Sequence, residues 1–188
     1  TCKRRLQKDR VRKMITVEIN GEERQYPQGA TYEDVANDYQ KEYDNLIALA
    51  ARDGKIRELF KKLTRDCEIT FFTLKDDVGN KTYVRSATML FLKAVFDVFG
   101  RETVQNCRVE FAIGNGSYIS PKGKINATEE NAAKIRNRMR ELVEAKTPFL
   151  KRSYSLDNAM ELFRKEGMKD KEKLFRYRRG SFVNIYEM

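Results

Sequence analysis

The sequence predicts an α+β fold in two parts. Three observations carry that expectation. Residues 15–74 read strand, strand, helix and then further strands, with hairpin turns between them. Residues 77–188 mix longer apolar-periodic segments with short strand-like runs. The 188 residues are 40% hydrophobic and 11% aromatic, enough for one large or two small cores.

In the first part, residues 15–19 alternate apolar and polar, as a half-buried strand does. Asn20 and Gly21 both tolerate positive φ and suit a type I′ turn, so 22–26 is the return strand. Thr31 caps a helix with Glu33 and Asp34 near the positive end of its dipole. Val35 and Tyr39 lie one turn apart on it. Residues 46–51 read as a buried strand, Asp53-Gly54 as another hairpin turn, and 68–74 as the last strand. That order of elements is the order of a β-grasp domain.

A turn at 77–80 opens the second part. A helix over 86–99 follows, apolar on more than one face, with Gly100 left-handed behind it. Strands are expected at 108–113 and 117–120. Thr128 caps a long helix in which Ala132, Ile135, Met139, Leu142 and Val143 keep the 3.6-residue period, and Pro148 stops it. Residues 149–154 read as a strand. Ser155 caps a helix over 156–166 that Gly167 ends, and 180–187 is the final strand.

Composition removes several chemistries. The chain has no histidine, so a histidine-based triad or a Cys/His zinc site is impossible. Its three cysteines, Cys2, Cys67 and Cys107, contain no Cys-x-x-Cys pair and fit a reducing cytosol. Cys67 and Cys107 are expected as small buried strand residues. No metal or cofactor is expected in this chain. Residues 114–124 hint at a phosphate loop, but Tyr118 stands where the first glycine belongs and Ile125 where the hydroxyl belongs. No apolar run approaches the ~20 residues of a membrane helix. A cytoplasmic protein without a membrane partner is expected.

The net charge of +10 is unevenly placed. Residues 1–13, TCKRRLQKDRVRK, are net +6 and read as a basic leader, frayed, vector-derived or an RNA-binding arm. Residues 164–179 are net +5, whereas 14–76 are net −4. In the tail, Lys169, Lys171, Lys173, Arg176, Arg178 and Arg179 interleave with Phe175 and Tyr177. Such a run either binds phosphates and stacks on bases or forms a solvated face docked on an acidic neighbour. Lys173, Arg176, Arg178 and Arg179 are the candidate nucleic-acid contacts.

The segment Val84-Arg85-Ser86-Ala87-Thr88-Met89-Leu90 follows the 68–74 strand and opens an apolar segment ending at Phe99-Gly100. That arrangement resembles the N-terminal half of threonyl-tRNA synthetase. There a TGS domain leads into a second additional domain that opens on a His-Ser-Ala-x-x-His-like helix. The stretch NAAKIRNRMRELVEAKTPFLKRSYSLDNAMELFRKEG resembles the helix–strand–helix of that second domain. The resemblance covers about 14–188. It implies a TGS β-grasp domain over 14–76 and an editing-domain-like α+β domain over 77–188, cut short at its C-terminus.

In that family the paired histidines help form an editing site for mischarged tRNA. Here Arg85 and Met89 stand at the histidine positions, and Tyr186 stands at the cysteine position within Phe182-Val183-Asn184-Ile185-Tyr186. The resemblance therefore implies a degenerate editing site without catalytic residues. A phenol and a guanidinium do not shuttle protons at neutral pH. Arg85 offers a permanent cation that either pairs with a surface carboxylate or takes an anionic ligand.

The same two modules, without the histidines, also resemble the N-terminal region of bacterial uridine kinase-like proteins. That resemblance implies a regulatory or RNA-sensing module partnered with a C-terminal kinase domain of the same parent chain, where ATP and Mg would bind. The alternative is an editing-domain fragment of a threonyl-tRNA synthetase-like protein acting on tRNA.

Overall fold

A computed structural model describes residues 14–114, 116–121 and 126–188. The expectations for the 1–13 leader, for Cys2 and for part of the 114–124 region lie outside those residues. The chain divides into two compact units, Thr1–Ser86 and Ala87–Met188, within one continuous helix. The architecture is α+β, with a mixed sheet in the first unit.

Alternation builds the first unit. β1 (Met14–Ile19) turns on Asn20 (φ 53°) and Gly21 (φ 83°) into antiparallel β2 (Glu22–Pro27). Its residues Ile15, Val17 and Ile19 all point to one core. Thr31 caps α1 (Tyr32–Tyr39) in a closed box: Thr31 Oγ1 accepts from the Asp34 N–H at 3.1 Å, and Asp34 Oδ2 accepts from the Thr31 N–H at 2.7 Å. A single 3-10 turn, Gln40–Glu42, follows. β3 (Ile47–Arg52) and β4 (Lys55–Arg57) form a second hairpin, and β5 (Cys67–Thr73) completes the sheet.

The strand order is β2-β1-β5-β3-β4. β1 and β5 run parallel in the middle, and the other pairs are antiparallel. α1 buries Tyr32, Val35, Ala36 and Tyr39 in one cluster with Ile15, Val17, Ile69 and Phe71. Leu46, expected inside a buried strand, is exposed and precedes β3.

Residues 77–80 are not a turn. They are the first turn of α2 (Asp77–Phe99), because the Asn80 N–H donates to the Asp76 carbonyl at 2.8 Å. Glycine and asparagine suggest a break here, but Gly79 has a different task. A Cβ at Gly79 would lie 2.0 Å from the Thr73 carbonyl oxygen, so only glycine lets the helix start against the end of β5. The Asp76 carboxylate fixes the junction, accepting from the Thr73 N–H at 2.6 Å and its hydroxyl at 2.9 Å. Those bonds hold Asp76 below the usual carboxylate range.

The second unit is built from smaller pieces. Gly100 has positive φ (82°) but extended ψ (177°), because the chain passes directly into a short helix, α3 (Arg101–Asn106), that periodicity did not reveal. β6 (Cys107–Ile113) and β7 (Gly116–Pro121) form a two-stranded ribbon. α4 (Glu129–Glu144) is capped by Thr128, whose hydroxyl accepts from the Asn131 N–H. It ends before Pro148, at Lys146 (φ 49°), where the Lys146 N–H reaches the Val143 carbonyl and the Thr147 N–H the Leu142 carbonyl. Leu142 is buried, but Ala132 and Val143 face solvent, so the apolar period overstates the buried face. β8 (Leu150–Ser155) pairs with β9 (Phe182–Glu187).

Between those strands lie α5 (Leu156–Lys165), capped by Ser155, and α6 (Lys169–Phe175), which the dense charge concealed. Ala159, Phe163 and Val183 form the small core beneath them. Cys67 and Cys107 lie in β5 and β6 and are only half-buried. Burial pushes both thiols up, so neither is an activated nucleophile.

Candidate nucleic-acid interface

Arg85 and Met89 sit one turn apart in the middle of α2, on one stripe of the helix. The Arg85 side chain is exposed and Met89 is half-buried. Arg85 carries no carboxylate partner among the described residues. A cation and a thioether in this pairing supply neither a base nor a nucleophile at neutral pH.

Tyr186 lies on β9 opposite Lys151 of β8, whose ammonium is 5.4 Å from the ring centre. It is 46% exposed. The second unit contains two clefts of about 460 and 400 Å³. Leu92, Val104, Met168 and Lys171 help line one, and Phe91, Val95, Ile119 and Ile135 the other; neither is lined by Met89 or Tyr186. No cluster of three metal-ligating side chains occurs among the described residues.

The basic residues of this unit differ in their electrostatic pairing. On α4 and its neighbours several cations are matched. Arg138 grips Asp97 through two nitrogens at 2.9 and 3.0 Å and also reaches Glu141, and Lys93 bonds the same Asp97. Burial alone would raise the Asp97 carboxyl, but the bonds from Lys93 and Arg138 outweigh it and hold it below its ordinary range. Lys134 pairs with Glu130, Lys165 with Glu161 and Arg101 with Glu166.

The tail set is different. Gly167 (φ 65°) closes α5, with the Met168 N–H donating to the Phe163 carbonyl at 2.8 Å, and α6 starts at once. The Phe175 ring packs on Phe163 at 5.0 Å, which anchors the C-terminal end of α6. Arg164 and Arg176 share Glu172 at 3.2 and 3.4 Å, and Arg164 first, then Arg176, keep that carboxylate below its usual range. Lys173 and Arg179 have no carboxylate partner among the described residues. The Arg178 guanidinium lies 5.3 Å over the Phe175 ring instead. Phe175 and Tyr177, interleaved alike in sequence, part company: one faces the core and the other is 87% exposed. The structure thus brings Lys173, Arg176, Arg178 and Arg179 onto one helix end. Tyr177 is not among the contacts that charge alone suggests, because which of the two aromatics turns inward depends on Phe163.

Among the described residues no helix is long and apolar enough to cross a membrane. No family model matches the chain. Similar proteins include the threonine–tRNA ligase of Thermotoga maritima, 27% identical over 177 residues, which covers 88% of this chain and 27% of that protein. The threonine–tRNA ligase of Maricaulis maris is 27% identical over 183 residues, covering 92% and 28%. That of Rhizobium etli is 28% identical over 155 residues, covering 82% and 23%. The chain spans about a quarter of the length of these relatives. None of the three is named as a kinase, so the similarity favours the synthetase-like reading over a nucleoside-kinase parent. Over most of its length, this chain is similar to part of a threonine–tRNA ligase.

Proposed function

We infer that this chain is a tRNA-directed module, similar to the TGS and editing-domain portion of a threonyl-tRNA synthetase, that binds tRNA without hydrolysing its aminoacyl ester. The observation that carries this reading is the similarity to threonine–tRNA ligases across 88% of the chain, through both compact units. The sheet order β2-β1-β5-β3-β4 with one parallel central pair fits a TGS-type β-grasp domain over 14–76. The α+β elements after Asp77 fit the editing-like domain. The loss of hydrolysis follows from side-chain chemistry: Arg85, Met89 and Tyr186 stand at the positions where the family pattern needs histidines and cysteine, and the chain has no histidine. ATP and Mg belong only to the kinase-parent reading, which the similarity to threonine–tRNA ligases favours less. Arg85 remains a candidate contact for an anionic group of the RNA.

Two measurements on the 188-residue chain test this. Titration with tRNA(Thr) should show binding that weakens as salt rises, because released counterions drive it. Incubation with seryl-tRNA(Thr) should leave the ester intact over the buffer control. Absence of tRNA binding at low salt would remove the RNA-directed reading, and protein-dependent deacylation would remove the non-hydrolytic one.

A further inference from the structure

The segment that follows α6 combines features that phosphate attraction alone does not require. From Lys173 to Tyr186 there are four cations, Lys173 included, and no carboxylate residue. Tyr177 is 87% exposed, Phe182 67% and Leu174 68%, an unusual outlay of apolar surface beside so much charge. The backbone beneath these side chains is fixed. The Tyr177 N–H donates to the Leu174 carbonyl and the Arg178 N–H to the Phe175 carbonyl. At the other end, the Ser181 carbonyl accepts from the Leu156 N–H, and β9 begins one residue later. The Arg178 guanidinium is set in place by Phe175, and its Nε lies 3.6 Å from where a Cβ would stand on Gly180.

We propose that this segment is a stacking platform for unpaired nucleotides, with Tyr177 receiving a base face and Arg178, Arg179 and Lys173 receiving the flanking phosphates. The proposal rests on the RNA-directed reading above and narrows it to single-stranded RNA at one surface. An aromatic ring held on a fixed turn offers a π-face that any base can use, and planar guanidiniums beside it hold the phosphates. A duplex hides its base faces and would use only the cations. An acidic protein would also use the cations, but it has no need of a ring left almost wholly in water. That contrast makes unpaired RNA the better fit.

The test uses the full 188-residue chain and two fluorescent probes: a ten-nucleotide single-stranded RNA, and the same sequence in a blunt duplex. Anisotropy is read across a salt series. Tyr177→Ala should weaken single-strand binding about fivefold to a hundredfold while changing duplex binding less than about twofold. Tyr177→Phe keeps the ring and should restore the affinity. Arg178→Ala with Arg179→Ala should flatten the single-strand log–log salt slope by about 0.7 per lost contact. Circular dichroism establishes that each variant is folded. If the chain binds RNA but Tyr177→Ala changes neither probe, the platform is overturned and the RNA-directed reading stands. If the unaltered chain binds neither probe nor tRNA, both fall. If a polyglutamate peptide competes as well as the single strand does, the surface belongs to an acidic protein partner and the proposal is wrong.

Discussion

The two compact units spend their apolar residues differently. In the first, the strands share one five-stranded sheet, and α1 closes a single buried cluster over it. In the second, β6–β7 and β8–β9 are separate two-stranded ribbons, and Val109, Phe111, Ile113, Tyr118 and Phe182 on them face solvent. Phe111 and Tyr118 stack on each other across the ribbon at 5.1 Å. The contrast teaches that alternation reports strand formation, whereas burial needs a layer to lie against. A two-stranded ribbon has two faces and too little neighbouring surface to cover both.

The comparison can be broken most sharply by paired truncations. Ile69→Ala in the first unit should cost about 2–5 kcal/mol, because the cavity stays open in a packed sheet. Ile113→Ala on the ribbon should stay within about 0.5 kcal/mol. Urea unfolding of both variants checks this, and equal losses would show that the ribbon is covered in solution. Next in size, Gly79→Ala should cost about 1–3 kcal/mol, because its methyl meets the Thr73 carbonyl and the start of α2 must move. Thermal unfolding by circular dichroism reads that loss.

Thr31→Ala should cost about 1 kcal/mol by opening the capping box of α1, seen as a lower urea midpoint with unchanged slope. The smallest effect concerns the response of the second unit to acid. The folded Asp97 carboxyl is the stronger acid, so its contribution is complete above the ordinary value of 3.8 and is lost as pH falls through the lower folded value. Asp97→Asn should therefore lower stability at neutral pH and flatten the loss below about pH 4. An unchanged acid profile would mean that Lys93 and Arg138 do not hold the carboxylate in solution.

The first unit was legible because its signals are local. Asn20-Gly21 adopts the positive φ values its turn requires, Thr31 caps as its position suggests, and β1, β2, β3 and β5 each lie within a residue of their expected spans, while β4 had none. What escaped notice depends on contacts far apart in sequence. Gly79 looked like a breaker because its reason, the carbonyl of Thr73, lies on another element. α6 was hidden because only its Phe175, with Met168 just before it, packs against the small core formed by α5 and β9. For the candidate site, the basic residues could be read from charge alone. The separation of Phe175 from Tyr177 could not, since neighbouring aromatics declare their sides only when Phe163 is in place.

The exposed Tyr177 ring has an optical consequence. The chain contains no tryptophan, so Tyr177→Trp would install a single indole at the most exposed aromatic position described. Its emission would come from that one turn, free of signal from either core. Quenching on ligand addition would report occupancy there, residue by residue, in a protein otherwise dark at indole wavelengths.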